Sequence, residues 1–404
     1  MSRLDDLALI SADPGRITRL HLTPEHRRAN DLTAKWMNSA GMTTRVDQAG
    51  NLIGRYEGSR ADAPTLIIGS HLDTVRNAGR YDGTLGVMLG IAVVALLKER
   101  RQRLPFAVEV IGFADEEGVR FGAGLLGSRA MAGKLEASVL ELVDDDGVTL
   151  SDAIRTFGLE LDARELARKD PSDVIGYLEV HIEQGPVLES ERAPVGVVTA
   201  IAGAFRRRVT ISGKSGHAGT VPMAGRRDAL TAAAQCVLTL ESLCLEEPGV
   251  VGTVGELVVK NGAVNVIPGQ VSFSVDLRAP DDDRRRRVEE RFREVLANTC
   301  ELRGLEFSLE ETYEVPACIF DGPLFELLSE AVIAEGLPHR RIPSGAGHDA
   351  MAFADITDTA MLFVRCRDGI SHHPDESVTV EDVERALAVA YRTVTSVPSQ
   401  KASK

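Results

Sequence analysis

From Pro64 onward the chain alternates short, continuously apolar runs with longer helical stretches. PTLIIGS (64–70), FAVEVIGFA (106–114), YLEVHIE (177–183) and VGVVTAI (195–201) have the length and β-branched content of buried strands. Between the first two lies an apolar run, Leu85 to Leu97, that is too long for a strand and predicts a buried helix. Strands apolar on both faces, separated by helices, predict an α/β domain whose sheet is covered on both sides.

Near residue 205 the texture changes. FRRRVTI (205–211), a helix from about Arg226 to Leu245, a strand near 250–260, VSFSVDLR (271–278), a helix of about 283–303 and LEFSLEE (305–311) follow in β-α-β-β-α-β order, the split βαβ pattern. In VSFSVDLR the apolar Val271, Phe273, Val275 and Leu277 alternate with polar residues, which predicts one buried and one wet face. After Asp321 the α/β texture returns with a helix near 323–335, the strand AMLFV (360–364) and a last helix opened by Thr379 and Asp382 in capping-box spacing. The expectation is one α/β domain, 1–204 with 320–404, interrupted by a smaller α+β domain at 205–319. The tail SQKASK (399–404) is expected to be disordered.

Composition narrows the class. At 404 residues the chain is long enough for two ordinary cores. Sixty acidic against 46 basic residues, a formal charge of -14, argue against a nucleic-acid partner. Arg284 to Arg287, flanked by acids, read as a solvated helix face, whereas Arg206 to Arg208 could border an anion site. Five cysteines without a CxxC pair indicate neither a disulfide framework nor a thiolate zinc site, and fit a reducing cytoplasm. The N-terminus lacks a signal-peptide core, and the Leu85–Leu97 run is too short to span a bilayer, so no membrane partner is expected.

The candidate chemistry lies at the ends of the predicted strands. His71-Leu72-Asp73 follows PTLIIGS and suits a metal-ligating imidazole with a carboxylate on its other ring N–H, although it also suits a polar loop with a structural Asp. Asp82, in a Gly-rich turn before the apolar helix, could bridge two ions or simply cap the helix. Asp115, Glu116 and Glu117 close FAVEVIGFA; one acid can hold a metal while its neighbour takes a proton from water. His181 ends an apolar strand that exits into Glu183 and Gln184, and either His372 or His373 of the loop after AMLFV could add a last imidazole. Together these supply His, Asp, Glu, His and His, the donor set of a two-metal hydrolase.

GSHLDTVRNAGRYDG, DEEGVRF, HIEQG, GHAGTVPM, NVIPG with VDLR, SGAGHDA and GISHHPDE occur in the order found in M20 metallopeptidase-like amidohydrolases. Over nearly its whole length the chain resembles this family, and within it the allantoate amidohydrolase and N-carbamoyl-L-amino-acid hydrolase group. The resemblance implies a catalytic α/β domain with a central mixed sheet and an inserted lid domain that mediates homodimerisation. It implies two divalent cations, manganese or zinc with cobalt or nickel as alternatives, held by His71, Asp82 and His181 and by Asp82, Glu117 and His372. Glu116 matches the general base, and His217 of GHAG the oxyanion-stabilising residue, reaching across from a second subunit. Asn265 and Arg278 match binders of the substrate carboxylate, with Gln184 and His348 as weaker candidates for the ureido group; without the resemblance, Arg278 would read as a strand arginine paired with an acid. The expected reaction is hydrolysis of a ureido C–N bond, with allantoate from purine catabolism first, N-carbamoyl-L-amino acids second, 3-ureidopropionate third and a peptide as a remote alternative.

Overall fold

The computed structural model describes residues 1–60, 62–160 and 171–398, so the tail 399–404 lies outside the described residues. The chain divides into two compact units: Met1–Thr199 with Phe320–Ile342 and Gly347–Lys404, and Ala200–Ile319 with Pro343–Ala346.

In the first unit, four parallel strands form the middle of a mixed sheet, in the order Ala107–Phe113, Thr65–His71, Val174–Ile182, Thr359–Val364. Thr65–His71, Ala107–Phe113 and Thr359–Val364 are buried at every position, as expected of strands that meet protein on both faces. Antiparallel Leu52–Tyr56 and Thr43–Val46 extend one side, and Val195–Ile201 pairs antiparallel on the other. The register sets His71 beside Phe113 and His181 beside Phe363, so all four parallel strands release their loops from one edge.

The apolar run becomes the helix Thr84–Glu99, with residues 84–91, Val93, Val94 and Leu97 buried. It lies on the sheet face of Ile68 and Val110, where Gly90 meets both side chains. Side chains alternate along a strand, so Tyr177 belongs to the opposite face, where it stacks on Phe353 at 4.5 Å and 7°. The helices Pro323–Ala334 and Val380–Ser396 complete this unit, the latter capped by the Thr379 hydroxyl accepting from the Asp382 amide.

The second unit is an antiparallel sheet in the order Leu257–Val259, Gln270–Ala279, Gly203–Ser212, Glu306–Val315, with Val251–Thr253 also paired to Gln270–Ala279. The expected strand near 250–260 is thus two short strands. The break falls at Gly255 and Glu256, whose amides both donate to the Ser274 hydroxyl instead of a ladder carbonyl. Helices Ala229–Glu246 and Asp282–Arg303 share a core with Val271, Phe273, Val275 and Leu277, each at most 1% exposed. Among the described residues one helix, Ala229–Glu246, is long and apolar enough to cross a membrane by length and composition; its Ala232, Ala233, Cys236, Leu240 and Leu243 are buried in this core instead.

Each arginine run sends one residue inward, while Arg284, Arg286 and Arg287 stay on the solvated face expected of them. Helical periodicity puts Arg285 on the core side with Val288 and Phe292, where it is 2% exposed and pairs with Asp282, Glu289 and Glu314. Strand alternation does the same for Arg207, whose guanidinium lies 3.7 Å from the Phe205 ring centroid and binds Glu311 and Glu314, while Arg206 and Arg208 pair with Asp276 and Glu256.

Candidate metal centre

The strand-end loops of the first unit bring five donors together. His71 is the last residue of its strand, and its Nε2 lies 3.5 Å from His181 Nε2 on the neighbouring strand. Both face the Asp82 carboxylate: Oδ1 is 3.6 Å from His71 Nε2 and 3.0 Å from His181 Nε2. The other oxygen, Oδ2, is 3.2 Å from His372 Nε2, which in turn lies 3.6 Å from Glu117 Oε1. Two atoms bound tetrahedrally to one ion at about 2.1 Å are separated by about 3.4 Å. Separations of 3.0–3.6 Å on each side of Asp82 therefore suit one cation per carboxylate oxygen.

The helix-capping alternative for Asp82 is not what the chain does: the cap position is Gly83, without a side-chain cap bond, and the carboxylate turns to the imidazoles. His373 is likewise separated from its neighbour, accepting from the Asp375 amide on an exposed loop. Asp73 serves differently from expectation. The near partner of His71 Nδ1 is the Asp73 carbonyl at 3.0 Å, with its carboxylate at 3.8 Å; that carboxylate instead accepts the amides of Glu116 and Glu117. The HxD segment so orients one imidazole and, at the same time, the loop bearing two acids.

Glu116 and Glu117 keep 11% and 10% of their side-chain surface exposed, unlike a solvated acidic turn. Glu116 Oε2 is 4.0 Å from His71 Nε2, and Glu116 is close enough to His71 and Glu117 that these three could also hold an ion. Gln184 donates to Asp82 Oδ2 at 3.1 Å and to Ser371 Oγ at 3.2 Å, and the buried His348 ring meets His181 edge-on at 4.5 Å. The backbone is left-handed at Asp115, Gln184 and His372, three non-glycine residues in the loops that carry the cluster. Such conformations cost roughly 1–3 kcal/mol each and persist where surrounding contacts enforce them.

Electrostatically the cluster is short of positive charge. Burial pushes the Glu116 carboxyl well above the ordinary range, and burial with Asp82 raises Glu117 to about 7. Burial also raises Asp115, Glu376 and Asp349, the last to about 7. Burial would raise Asp82 too, but bonds from His181, His372 and His71 outweigh it and hold this carboxyl well below its usual range. His71 is raised despite burial because Asp82, Glu116 and Asp73 surround it, and His372 is raised by Asp82. Without cations such a cluster retains protons; divalent ions bound by neutral imidazoles and carboxylates would release them. Donor types, spacing and charge all fit two divalent cations.

In the second unit, His217 pairs opposite Val266, and the Ala218 amide donates to the Asn265 carbonyl, which joins the GHAG and NVIPG segments. His217 Nδ1 accepts the Gly219 amide, so the neutral ring carries its proton on Nε2. Arg278 is held side-on by Asp276, at 2.9 Å and 3.0 Å, and donates to the Gly345 carbonyl at 2.8 Å.

Sequence reasoning passed over three buried carboxylates. Glu376 accepts the Tyr81 and Asp82 amides and the Ser371 hydroxyl. Glu179 accepts the Tyr177 hydroxyl and the Ala350 amide, and Asp349 is fully buried. Glu179 carried a usable signal, an acid inside the apolar run YLEVHIE; Glu376 and Asp349, in loops, carried none beyond their motifs.

Imidazoles and carboxylates gathered at a strand-end edge around one shared aspartate define the class, a metal-dependent hydrolase. Residues 67–396 match Peptidase family M20/M25/M40, and the chain belongs to that family. It is 45% identical to a probable allantoate deiminase of Oryza sativa subsp. japonica, over 94% of this chain and 84% of that protein. It is 40% identical to an N-carbamoyl-L-amino-acid amidohydrolase of Pseudomonas sp. (strain NS671), over 94% and 92%. Among solved structures, a hydantoinase/carbamoylase family amidase from Burkholderia multivorans superposes with a TM-score of 0.92 at 36% identity, covering 98% of this chain and 96% of that one.

Proposed function

We propose that the protein hydrolyses a ureido C–N bond of a small carboxylic acid, with allantoate as substrate and ureidoglycine, ammonia and carbon dioxide as products. The observation that carries the metal chemistry is the two-sided Asp82 carboxylate, one oxygen toward His71 and His181 and the other toward His372. The 45% identity to a probable allantoate deiminase supports the substrate, and the 40% identity to a carbamoyl-amino-acid amidohydrolase supports N-carbamoyl-L-amino acids as the second reading, ahead of 3-ureidopropionate and a peptide.

His71, Asp82 and His181 would hold one divalent cation and Asp82, Glu117 and His372 the other, manganese first and zinc next, with cobalt or nickel as further fits. When bound, the pair supplies Lewis acidity to the substrate carbonyl and to water. Glu116 takes a proton from the attacking water and returns it to the departing nitrogen, and its raised proton affinity suits both halves of that transfer. The carbamate left behind loses carbon dioxide. His217, with its proton on Nε2, donates to the oxyanion, from a second subunit of a homodimer built through the inserted unit. Arg278, whose Nε side is filled by Asp276 and whose Nη1 also donates to the Gly345 carbonyl, would bind the substrate carboxylate through its remaining N–H groups together with Asn265, and Gln184 and His348 would bind the ureido group. Five free thiols support a cytoplasmic setting.

The test is kcat/KM of metal-loaded protein for allantoate, several N-carbamoyl-L-amino acids, 3-ureidopropionate and dipeptides. Allantoate is expected to lead; a lead for carbamoyl amino acids selects the second reading, and turnover of dipeptides alone refutes both.

A further inference from the structure

We infer that Glu376 is a positioning residue that clamps the loop of Asp82 to the loop of His372 and so sets the distance between two metal ligands. The inference rests on the dinuclear reading above and adds a residue outside it. Among the described residues, none of the groups able to hold an ion includes Glu376.

The side chain is 2% exposed and every bond it makes is structural in direction. Oε1 accepts the amides of Tyr81 at 2.8 Å and Asp82 at 3.0 Å. Oε2 accepts the hydroxyl of Ser371, the residue before His372, at 3.0 Å, and the same hydroxyl lies 3.2 Å from Asp82 Oδ2. Asp82 and His372 leave different strands and sit 290 positions apart in sequence, yet one carboxylate addresses the main chain of the first and the neighbour of the second. The turn before Asp82 is shaped around it: a Cβ at Gly79 would fall 2.3 Å from the Glu376 carboxyl carbon. His372 holds a left-handed backbone, φ 55°, beside this contact. An acceptor with two oxygens serves all three donors, Oε1 taking the two amides and Oε2 the hydroxyl.

Glu376→Ala removes all three bonds. Glu376→Gln keeps one oxygen for the two amides and offers an N–H to Ser371 Oγ. Partners that orient metal ligands are worth about 10–100-fold in metal affinity. Competition with a chromophoric chelator should therefore show one of the two ions weakened about 10–100-fold in E376A, with E376Q close to wild type and Ser371→Ala between them. Hydrogen exchange in the metal-free chain reads the clamp alone: the Tyr81 and Asp82 amides should exchange faster in E376A and remain protected in E376Q. Folded E376A that binds both ions as tightly as wild type, or equal losses in E376A and E376Q, would overturn the proposal. Should E376A not fold, S371A decides, and unchanged affinity for both ions there counts against the clamp. Wild-type protein that takes up no divalent ion would instead sink the dinuclear reading, while the exchange data would still judge the clamp.

Discussion

Gly83→Ala is the smallest change that reaches the centre of the cluster. Gly83 sits at φ 65°, and a Cβ there would lie 2.4 Å from three atoms of the His71 ring. Ordinary carbon contacts begin near 3.5 Å, so the ring must retreat by about 1 Å. It has little room to do so: the ring is 1% exposed and its Nδ1 is tied to the Asp73 carbonyl at 3.0 Å. With ψ at -53° Gly83 lies outside the left-handed helical region, and so sparsely populated a backbone costs a non-glycine residue roughly 1–3 kcal/mol, while overpacking a buried site adds about 1–3 kcal/mol. A loss of about 2–6 kcal/mol reaches only the low end of the usual 5–15 kcal/mol of a folded domain, so the chain should be destabilised but still fold. Metal–ligand distances, however, tolerate only about 0.2 Å. Urea unfolding of the metal-free variant should show that loss of stability, and metal analysis after saturating loading should show the ion nearest His71 missing. Gly147→Ala is the control for a Cβ at positive φ without a clash, because Gly147 has φ 79° and nothing within 4 Å of its would-be Cβ. G83A that binds both ions as wild type does would refute the argument that Gly83 is small because His71 is close.

Glu116→Gln should lower kcat by about 10²–10⁴ while both ions remain bound, read by steady-state kinetics alongside metal analysis; unchanged turnover removes Glu116 as the base. Arg278→Lys replaces a fork by a point charge, and losing about 1.5–3 kcal/mol of charge-assisted bonding should raise KM about 10–100-fold with kcat nearly kept; an unchanged KM would leave Arg278 as a strand arginine paired with Asp276. Burial, followed by the charge of Arg19, lowers His26 from 6.5 to about 3. The folded chain then binds fewer protons than the unfolded one, so this contribution is complete above pH 6.5 and is lost as pH falls toward 3. By pH 5 the loss is about 2 kcal/mol. Urea unfolding of the metal-free chain at pH 7 and pH 5 should show a difference that His26→Asn reduces by about that amount; identical differences would mean that His26 is already charged in the fold.

The strands that deliver the site are legible because each is a continuous apolar run ending in polar residues: Thr65–His71, Ala107–Phe113 and Val174–Ile182 sit where the pattern puts them. The long strand Gln270–Ala279 of the other unit is legible because Val271 to Leu277 alternate as strictly in burial as in sequence, whereas the single strand expected near 250–260 is two. The helix Pro24–Ser39 is not legible by apolar period, because its buried side includes His26, Asn30 and Thr33. His26 accepts the Leu22 amide on Nδ1 and Asn30 donates to the Gly50 carbonyl, and hydrophobicity does not record such pairs. The hairpin Thr43–Val46 with Leu52–Tyr56 escapes notice because its first strand is mostly exposed. Within the site, residue types and strand ends expose the five donors, but which atom does what depends on loop geometry. Asp73 spends its carboxylate on two amides and its carbonyl on His71, a division no spacing rule contains. Glu376 is hidden for a similar reason, since its partners Tyr81 and Asp82 lie 295 and 294 residues away.

In the proposed centre Asp82 stands between two cations, each completed by imidazole and carboxylate donors from separate strand ends. A crystal of protein saturated with manganese, measured on both sides of the metal absorption edge, tests it directly. Two anomalous peaks about 3.5–4 Å apart are expected, one beside His71 and His181 and the other beside Glu117 and His372, with an Asp82 oxygen toward each. No peak, or a single peak away from Asp82 with those side chains turned apart, would contradict it.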